Sequence, residues 1–411
     1  MADAEGVIGH FEGYDYGEMI TLNDDITIRF TDVGHLLGSA SIEIWMREDG
    51  IEKKIVFSGD IGNKHKPLIR DPAYVKEAGY AVMESTYGGR LHQKGKDHVT
   101  ELARIVQETL DRGGNVVIPA FAVGRTQELL YFFRHIKAEH MVHGHDGFEV
   151  YVDSPLAVEA THVFKQNQMD CYDDETKALV EQGINPISFP GLKLSVTSEE
   201  SKNINFSTTP KVIISASGMC EAGRIRHHLK HNLWRKECTI LFVGYQAVNT
   251  LGRSLLEGAD NVKLFGESIE VQAEICQLTG LSGHADREGL LKWVNSFEPK
   301  PKRVFIIHGE DEVENIFAQT LTEQGFNACA PYNGEQWAIG AEGAVCLKEG
   351  TRIRIEHHIS EGAARAATVF QRLLNAGKRL LRVIEHNEGG ANKDLAKFAD
   401  QINALCDKWD R

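Results

Sequence analysis

Short apolar or alternating runs that end at polar or small residues recur along this 411-residue chain, and they constrain its fold most strongly. They indicate buried β-strands because they are brief, rich in branched side chains and bounded by turn residues. These runs cover residues 26–30, 55–57, 81–83, 116–118, 150–152, 212–214, 240–243 and 304–307. Apolar residues at helical spacing lie between several of them, over 99–110 and 290–297. Strands that alternate with helices predict an α/β fold in which helices cover both faces of a sheet.

Polar side chains follow several of the predicted strands directly. Sites in α/β folds usually lie just beyond the C-terminal ends of the strands, where loops leave room for a ligand. Those positions are taken here by Asp60, Asp153, Ser217 and His308. We therefore expect the chemistry of this protein at these strand ends.

The formal net charge of −14 argues against a protein that coats nucleic acid by bulk charge. It leaves room for a local basic groove. Residues 224–236 contain a cluster of basic side chains, namely Arg224, Arg226, His227, His228, Lys230, His231, Arg235 and Lys236. Charge alone does not decide between a solvated helix face and a binding groove.

No apolar run approaches the roughly 20 residues that span a membrane. The segment 1–5 is acidic and lacks the basic-then-apolar order of a signal peptide. These features predict a cytoplasmic protein with no membrane partner. The seven cysteines are scattered and form no CxxC motif, so we expect neither disulfides nor a thiolate metal site.

His35 and Asp60 lie in loops rich in glycine and serine, next to predicted strands. A strand end is rigid, and small neighbours let solvent and backbone approach. An imidazole and a carboxylate presented in this way suit Zn²⁺. The alternative is that Asp60 caps a turn and that His35 satisfies a buried backbone group.

Glu84, His284 and His308 strengthen the metal hypothesis. Glu84 and His308 follow strand-like runs, whereas His284 precedes the helical pattern at 290–297. A histidine beside a buried carboxylate keeps one tautomer and becomes a better proton donor. A pairing of Glu84 with His284 would give this arrangement.

Nine segments, taken together and in order, resemble the β-CASP branch of the metallo-β-lactamase superfamily. This branch includes RNase J and the nuclease subunit of the eukaryotic mRNA cleavage and polyadenylation complex. The segments are GHLLGSA (34–40), FSGDIG (57–62), ESTYG (84–88), PAFAVGRTQELL (119–130), YVDSPLA (151–157), SASGMCEAGRIRHHL (215–229), FVGYQ (242–246), SGHAD (282–286) and IIHGE (306–310). The resemblance covers residues 8 to about 345.

The resemblance implies an α/β architecture, a metallo-β-lactamase αββα sandwich with an inserted α/β β-CASP domain and a C-terminal helical tail. The metallo-β-lactamase domain is expected at 1–95 and 263–346, the β-CASP domain at 96–262 and the tail at 347–411. RNA is expected to pass between the two domains. Relatives are often dimers, so a homodimer is a further expectation.

The resemblance also implies roles for single residues. His35, Asp60 and His308 match metal ligands of a two-zinc site, and Asp60 matches the aspartate that bridges the two ions. Glu84 and His284 match the acid and the histidine of the family's motifs A and B, and the histidine is the expected proton donor. Four residues are expected to contact RNA phosphates through backbone N–H groups or guanidinium groups. They are Ser217, Gly218, Arg224 and Arg226.

The sequence departs from the family in one respect. The family's HxHxDH motif, which supplies three of the metal-binding histidines and an aspartate, is absent among its eighteen histidines. Because residues 3–18 resemble the region just before the third metal motif, we expect the chain to begin inside the domain. The first strands are then missing and the zinc site is incomplete. A fragment or a mis-assigned start explains this better than a naturally truncated chain, and an upstream reading frame that encodes HxHxDH would support it.

The function expected from this resemblance is that of a zinc-dependent RNA nuclease, endonucleolytic, 5′-exonucleolytic or both. The alternative is a catalytically silent subunit that binds RNA or acts as a scaffold. A small-molecule hydrolase is disfavoured, because those enzymes lack a β-CASP segment.

Overall fold

The computed structural model describes residues 6–92, 97–352, 377, 380, 383–384 and 392–409. Its strands, in chain order, are β1 (Ile20–Asn23), β2 (Ile26–Asp32), β3 (Ala40–Glu48), β4 (Ile51–Phe57), β5 (Tyr80–Glu84), β6 (Val116–Pro119), β7 (Glu149–Asp153), β8 (Leu192–Ser195), β9 (Lys211–Ser215), β10 (Thr239–Phe242), β11 (Asn261–Leu264), β12 (Glu267–Glu270), β13 (Glu274–Gln277), β14 (Arg303–Ile307), β15 (Ala328–Cys329), β16 (Gln336–Ile339) and β17 (Ala344–Lys348).

The helices lie mainly between these strands. They are α1 (His98–Asp111), α2 (Arg125–Ala138), α3 (Pro155–Gln166), α4 (Gln168–Cys171), α5 (Asp174–Glu181), α6 (Ser198–Phe206), α7 (Ile225–Asn232), α8 (Leu251–Leu256), α9 (Arg287–Val294), α10 (Asp311–Glu323) and α11 (Asn392–Trp409). The predicted α/β class is confirmed, and every strand predicted from the sequence is present.

A seven-stranded sheet has the order β1-β2-β3-β4-β5-β14-β15. Strands β1 to β4 form antiparallel hairpins, and β4, β5, β14 and β15 are parallel. Asp49 and Gly50 connect β3 to β4, and both have positive φ. A two-residue turn of this kind matches the twist of the paired strands, so the Asp-Gly dipeptide fixes their register.

A six-stranded parallel sheet has the order β13-β10-β6-β9-β7-β8. The central strands β6, β9 and β10 are buried at every position, which explains the apolar runs 116–118, 212–214 and 240–242 within them. Because Glu274–Gln277 pairs with Thr239–Phe242, this sheet continues past the domain boundary predicted at residue 262.

The chain divides into two compact units, one formed by Met1–Leu256 with Asp260–Ile355 and one by Glu257–Ala259 with Glu356–Arg411. In the second unit, the helix predicted after Gly389 is confirmed as α11. The other predicted helical stretch of the tail, 361–387, lies largely outside the described residues. Within the described part of the chain, no helix is both long and apolar enough to cross a membrane.

Candidate active site

Three neighbouring parallel strands bring Asp60, Glu84 and His308 to one edge of the seven-stranded sheet. Strand β5 lies between β4 and β14, with Val82 opposite Phe57 and Glu84 opposite Ile307. Parallel strands in this register end side by side, so the residues that follow them must be neighbours. This grouping was predicted from the sequence.

Two loops add His35 and His284 to the same edge. Gly62 forms a β-bridge with His284, and a Cβ on Gly62 would lie 2.0 Å from the carbonyl oxygen of Gly34. A Cβ on Gly283 would lie 2.9 Å from Cε1 of His35. Glycine at these two positions therefore lets the loops pack closely enough to place the two imidazole rings 4.4 Å apart.

The start of helix α9 fixes the loop that carries His284. The side chain of Asp286 accepts a hydrogen bond from the backbone N–H of Gly289 and caps this helix. Capping anchors the chain two residues after His284. The sequence correctly placed this histidine at the entrance to a helix.

His35 and His308 each approach a different carboxylate oxygen of Asp60. Among the described residues, the donor groups whose ligand atoms all lie within 4.8 Å of one another are His35–Asp60–His284 and Glu84–His284–His308. Nε2 of His35 lies 3.8 Å from Oδ2 of Asp60, and Nδ1 of His308 lies 3.4 Å from Oδ1 of Asp60. Two ligands of a tetrahedral zinc ion, each bonded at about 2.0–2.2 Å, lie roughly 3.4 Å apart. The spacing and the nitrogen and oxygen donors therefore fit zinc.

The protonation state of His35 also fits a metal ligand. Burial, together with the nearby His284, lowers the pKa of His35 to about 4. Its ring is therefore neutral at physiological pH and keeps a lone pair for a cation. Nδ1 of His35 is buried and makes no hydrogen bond within the described part of the chain.

Glu84 and His284 form a buried pair beside these donors. Nδ1 of His284 lies 3.0 and 3.2 Å from the two carboxylate oxygens of Glu84, whose side chain is 1% exposed. Because a carboxylate can only accept, Nδ1 carries the proton. Glu84 also accepts the backbone N–H groups of Ile61 and Thr86, so its oxygens are engaged in positioning.

Within this pair, the pKa of Glu84 lies below its ordinary value and the pKa of His284 lies above its ordinary value. Burial alone would raise the pKa of Glu84, but the hydrogen bond and charge of His284 outweigh it, and the pKa lies below its ordinary value. Burial opposes the protonation of His284, yet Glu84 and Asp60 raise the pKa of that imidazole above its ordinary value. The pair thus stabilises a protonated histidine next to the metal donors.

In the loop that follows strand β9, two of the groups expected to contact phosphate are bonded within the protein instead. The backbone N–H of Ser217 already donates to the carbonyl of Ala222 at 3.1 Å. The guanidinium of Arg224 donates to Asp153 at 2.7 Å and to the carbonyl of Val196 at 2.6 Å. The N–H of Ser217 is therefore not available to a phosphate, whereas Arg224 uses part of its guanidinium to hold the loop and its contact with RNA stays a prediction.

Asp153 is the centre of this internal network. Its carboxylate is fully buried and also accepts hydrogen bonds from Ser195 and Ser201. Nε2 of His228, another fully buried group, lies 2.7 Å from it. Burial would raise the pKa of Asp153, but hydrogen bonds led by that of His228 lower it to about 2. Asp153 therefore ties strand β7 to the loop after β9.

Replacing Asp153 with asparagine is expected to destabilise the protein by about 3–5 kcal/mol, because Arg224 loses its counter-ion and a buried hydrogen-bond network loses a carboxylate acceptor. The contribution of the ionised carboxylate is complete above its unfolded pKa of about 3.9 and is lost as the pH falls through about 2. Urea unfolding should be measured at pH 7, 4 and 3. The difference in the free energy of unfolding between the wild type and the variant should become smaller below about pH 4. The exposed Asp170→Asn is the control, and an equally stable Asp153→Asn protein would contradict this account.

The other two residues predicted to contact phosphate, Gly218 and Arg226, have hydrogen-bond donors that no protein group uses within the described residues. The backbone N–H of Gly218 makes no hydrogen bond within the described residues. The half-buried Arg226 lies 5.3 Å from the ring of Phe265 and donates to the carbonyl of Glu221, and its buried Nε has no hydrogen-bond partner within the described residues. Their contact with RNA remains a prediction.

The basic stretch 224–236 is not a single exposed face. His228 is buried against Asp153, Lys230 pairs with Glu267, and Arg235 pairs with Glu237. Much of the stretch therefore serves the fold rather than a groove.

The sequence did not single out Phe121, a half-exposed aromatic residue beside the loop after β9. Its ring lies against Gly218, where a Cβ would meet it at 3.1 Å. Three residues further on, Gly124 contacts Leu36, the neighbour of His35. The segment 121–124 thus links the metal donors to Gly218. The position of Phe121 just after strand β6 is the signal in the sequence that marks this residue, since an aromatic side chain at a strand end can take part in a site as a polar one can.

Two protein-family models match the chain. The Beta-Casp domain matches residues 126–255, and the Zn-dependent metallo-hydrolase RNA specificity domain matches residues 268–331. The second match contains His284 and His308. The first begins at the residue after Arg125, the first residue of helix α2.

Curated relatives resemble most of the chain. It is 36% identical over 325 residues to a ribonuclease of Thermus thermophilus, which covers 79% of this chain and 72% of that protein. It is 31% identical over 322 residues to an RNase J-like protein of Methanocaldococcus jannaschii, covering 78% and 72%. Identity to the transcription termination factor FttA of Pyrococcus abyssi is 32% over 342 residues, covering 80% of this chain and 51% of that factor.

Proposed function

This chain belongs to the β-CASP family of metallo-β-lactamase-type RNA nucleases, and from that membership we propose that it acts as a zinc-dependent ribonuclease. The observation that carries the proposal is the Glu84–His284 pair, which lies beside the donors His35, Asp60 and His308. A silent RNA-binding subunit has no need of a histidine that a buried carboxylate orients beside potential metal ligands. The same pair therefore favours catalysis over the scaffold alternative.

His35, Asp60 and His308 would hold zinc, and the carboxylate of Asp60 has an oxygen facing each histidine. Bound zinc would supply an acidic water and would neutralise charge on a phosphate. The HxHxDH ligands of the family are not among these 411 residues, so the assignment here is confined to these three side chains.

His284 would act as the general acid. Glu84 holds Nδ1, which leaves Nε2 of the same ring free to face a substrate. When the phosphodiester bond breaks, the oxygen that leaves phosphorus takes the proton from Nε2, and the imidazole becomes neutral. Glu84 is thus a positioning residue that keeps the ring oriented and favours its protonated form until that transfer.

RNA would lie along the segment that joins the metal donors to Gly218. The backbone N–H of Gly218 would donate to a phosphate oxygen, Arg226 would add a charge-assisted contact, and the exposed ring of Phe121 would stack on a base. Endonucleolytic and 5′-exonucleolytic cleavage are both compatible with this arrangement. The place at which RNA ends are held would decide between them.

The test is cleavage of labelled RNA by the protein purified as its gene encodes it. We expect hydrolysis of RNA but not of a β-lactam or a thioester, and loss of hydrolysis on chelation of the metal. Labels at the 5′ and 3′ ends separate internal cuts from stepwise release of nucleotides. RNA binding without any cleavage in the presence of zinc would contradict the proposal and support the scaffold alternative.

A further inference from the structure

A cavity of about 630 Å³ adjoins the loops that carry Asp60 and His284, yet the proposed metal donors do not line it. Its wall includes residues 61–67 and 280–282, together with parts of helices α2 and α9. The volume is in the range of small-molecule sites. The active-site chemistry described above makes no use of this space.

Two lysines at the cavity lie close together beside the ring of Tyr74. The ammonium of Lys64 lies 5.2 Å and that of Lys292 lies 5.9 Å from the ring centroid of Tyr74. The neighbouring Lys64 lowers the pKa of Lys292, as expected for two adjacent like charges. Within the described part of the chain, no carboxylate lies within ion-pair distance of either ammonium. An anion between them would relieve their repulsion.

A third cation, Lys66, lies deeper in the wall. Its ammonium donates to the carbonyl oxygen of His35 at 2.7 Å. A single hydrogen bond to a carbonyl leaves two of its three donors open. The cationic part of the cavity therefore has unused hydrogen-bond capacity.

The acidic side chains at the cavity are already engaged. Glu128 pairs with Arg125, and Asp286 accepts the backbone N–H groups of Gly289 and His92. Glu288 also has an interaction partner. Asp71, outside the wall, accepts the backbone N–H of His65. These contacts occupy carboxylate oxygens but leave their negative charge, so an anion would have to bind at the ammonium groups of Lys64 and Lys292 and not over the whole wall.

The rest of the wall is apolar and partly flat. It includes Pro67, Pro72, the ring of Tyr74 and the ring of Phe132, which stacks with His98. Cations at one part and planar apolar surfaces elsewhere suit a ligand that joins a phosphate to a flat ring. A simple inorganic anion would fill only a small part of this volume.

We propose that this cavity binds a phosphorylated small molecule of nucleotide size, with its phosphate held by Lys64 and Lys292. The site is separate from the RNA-cleaving centre, although both are built on the same two loops. The proposal does not depend on nuclease activity, because it rests on binding alone.

The test is calorimetric titration of the purified full-length protein with AMP, adenosine and inorganic phosphate. AMP should bind, and adenosine should bind at least about tenfold more weakly. The affinity for inorganic phosphate should lie between the affinities for AMP and adenosine. The double variant Lys64→Ala/Lys292→Ala should weaken AMP binding at least about tenfold. The matched control Lys76→Ala/Lys202→Ala removes two exposed lysines elsewhere and should bind AMP like the wild type.

Binding of a short RNA with a 5′-hydroxyl distinguishes a site for a free phosphomonoester from a site for phosphates of the RNA backbone. Its affinity should be unchanged in Lys64→Ala/Lys292→Ala if the cavity takes a free phosphomonoester. The proposal is overturned if AMP does not bind, if the double variant binds AMP normally, or if RNA affinity is lost instead. Equal melting temperatures of the two double variants would show that the comparison concerns binding and not folding.

Discussion

Replacing His284 with alanine is expected to abolish RNA cleavage while leaving the zinc content of the protein nearly unchanged. Nδ1 of this histidine is bound to Glu84, and Nε2 is the group that would protonate the leaving oxygen. Loss of a general acid slows such reactions by about 10²–10⁴-fold. Cleavage rates and zinc content should be measured on one preparation.

The exposed His162→Ala is the matched control and should retain both activity and zinc. A wild-type cleavage rate in His284→Ala would rule out the proton-donor assignment. Loss of zinc in that variant would instead make His284 a ligand, since it lies within reach of His35 and Asp60 as well as of Glu84 and His308.

Replacing Asp60 with alanine is expected to remove zinc and activity together. One carboxylate oxygen of Asp60 faces His35 and the other faces His308. Substitution of Asp60 therefore removes the oxygen ligand beside each of the two histidines. Substitution of a residue that only supports a metal ligand lowers the affinity for the metal about 10–100-fold. Loss of the ligand itself should lower the affinity for zinc by more than that. Zinc content after dialysis is the measurement.

The exposed Asp24→Ala serves as the control for Asp60→Ala, because it removes a carboxylate from a hairpin turn. Two zinc ions per chain in the Asp60→Ala protein would refute the bridging role. Retained cleavage with lowered zinc would separate activity from this metal site.

The sequence predicted the residues of the site well where local pattern decides position. Asp60, Glu84 and His308 follow strand-like runs, and parallel strands that end together must bring such residues together. The pairing of Glu84 with His284 was also predicted, although 200 residues separate them. The structure shows this pair as expected.

Prediction failed where the partner of a polar group decided its role. Ser217 and Arg224 looked like phosphate contacts because of their residue types and their position after a strand. The backbone N–H of Ser217 is bonded to Ala222, and part of the Arg224 guanidinium is bonded to Asp153, which only the folded chain reveals. Neither the meeting of Lys64 with Lys292 nor the cavity beside them follows from periodicity, because both depend on how loops pack.

The central claim, that RNA cleavage here depends on zinc held by His35, Asp60 and His308, is tested most directly by a metal titration. Protein freed of metal should not cleave labelled RNA, and added zinc should restore cleavage in proportion to the zinc that it binds. The Asp60→Ala protein should neither bind the zinc nor recover activity. Full cleavage by the metal-free protein, or full recovery in Asp60→Ala, would contradict the account.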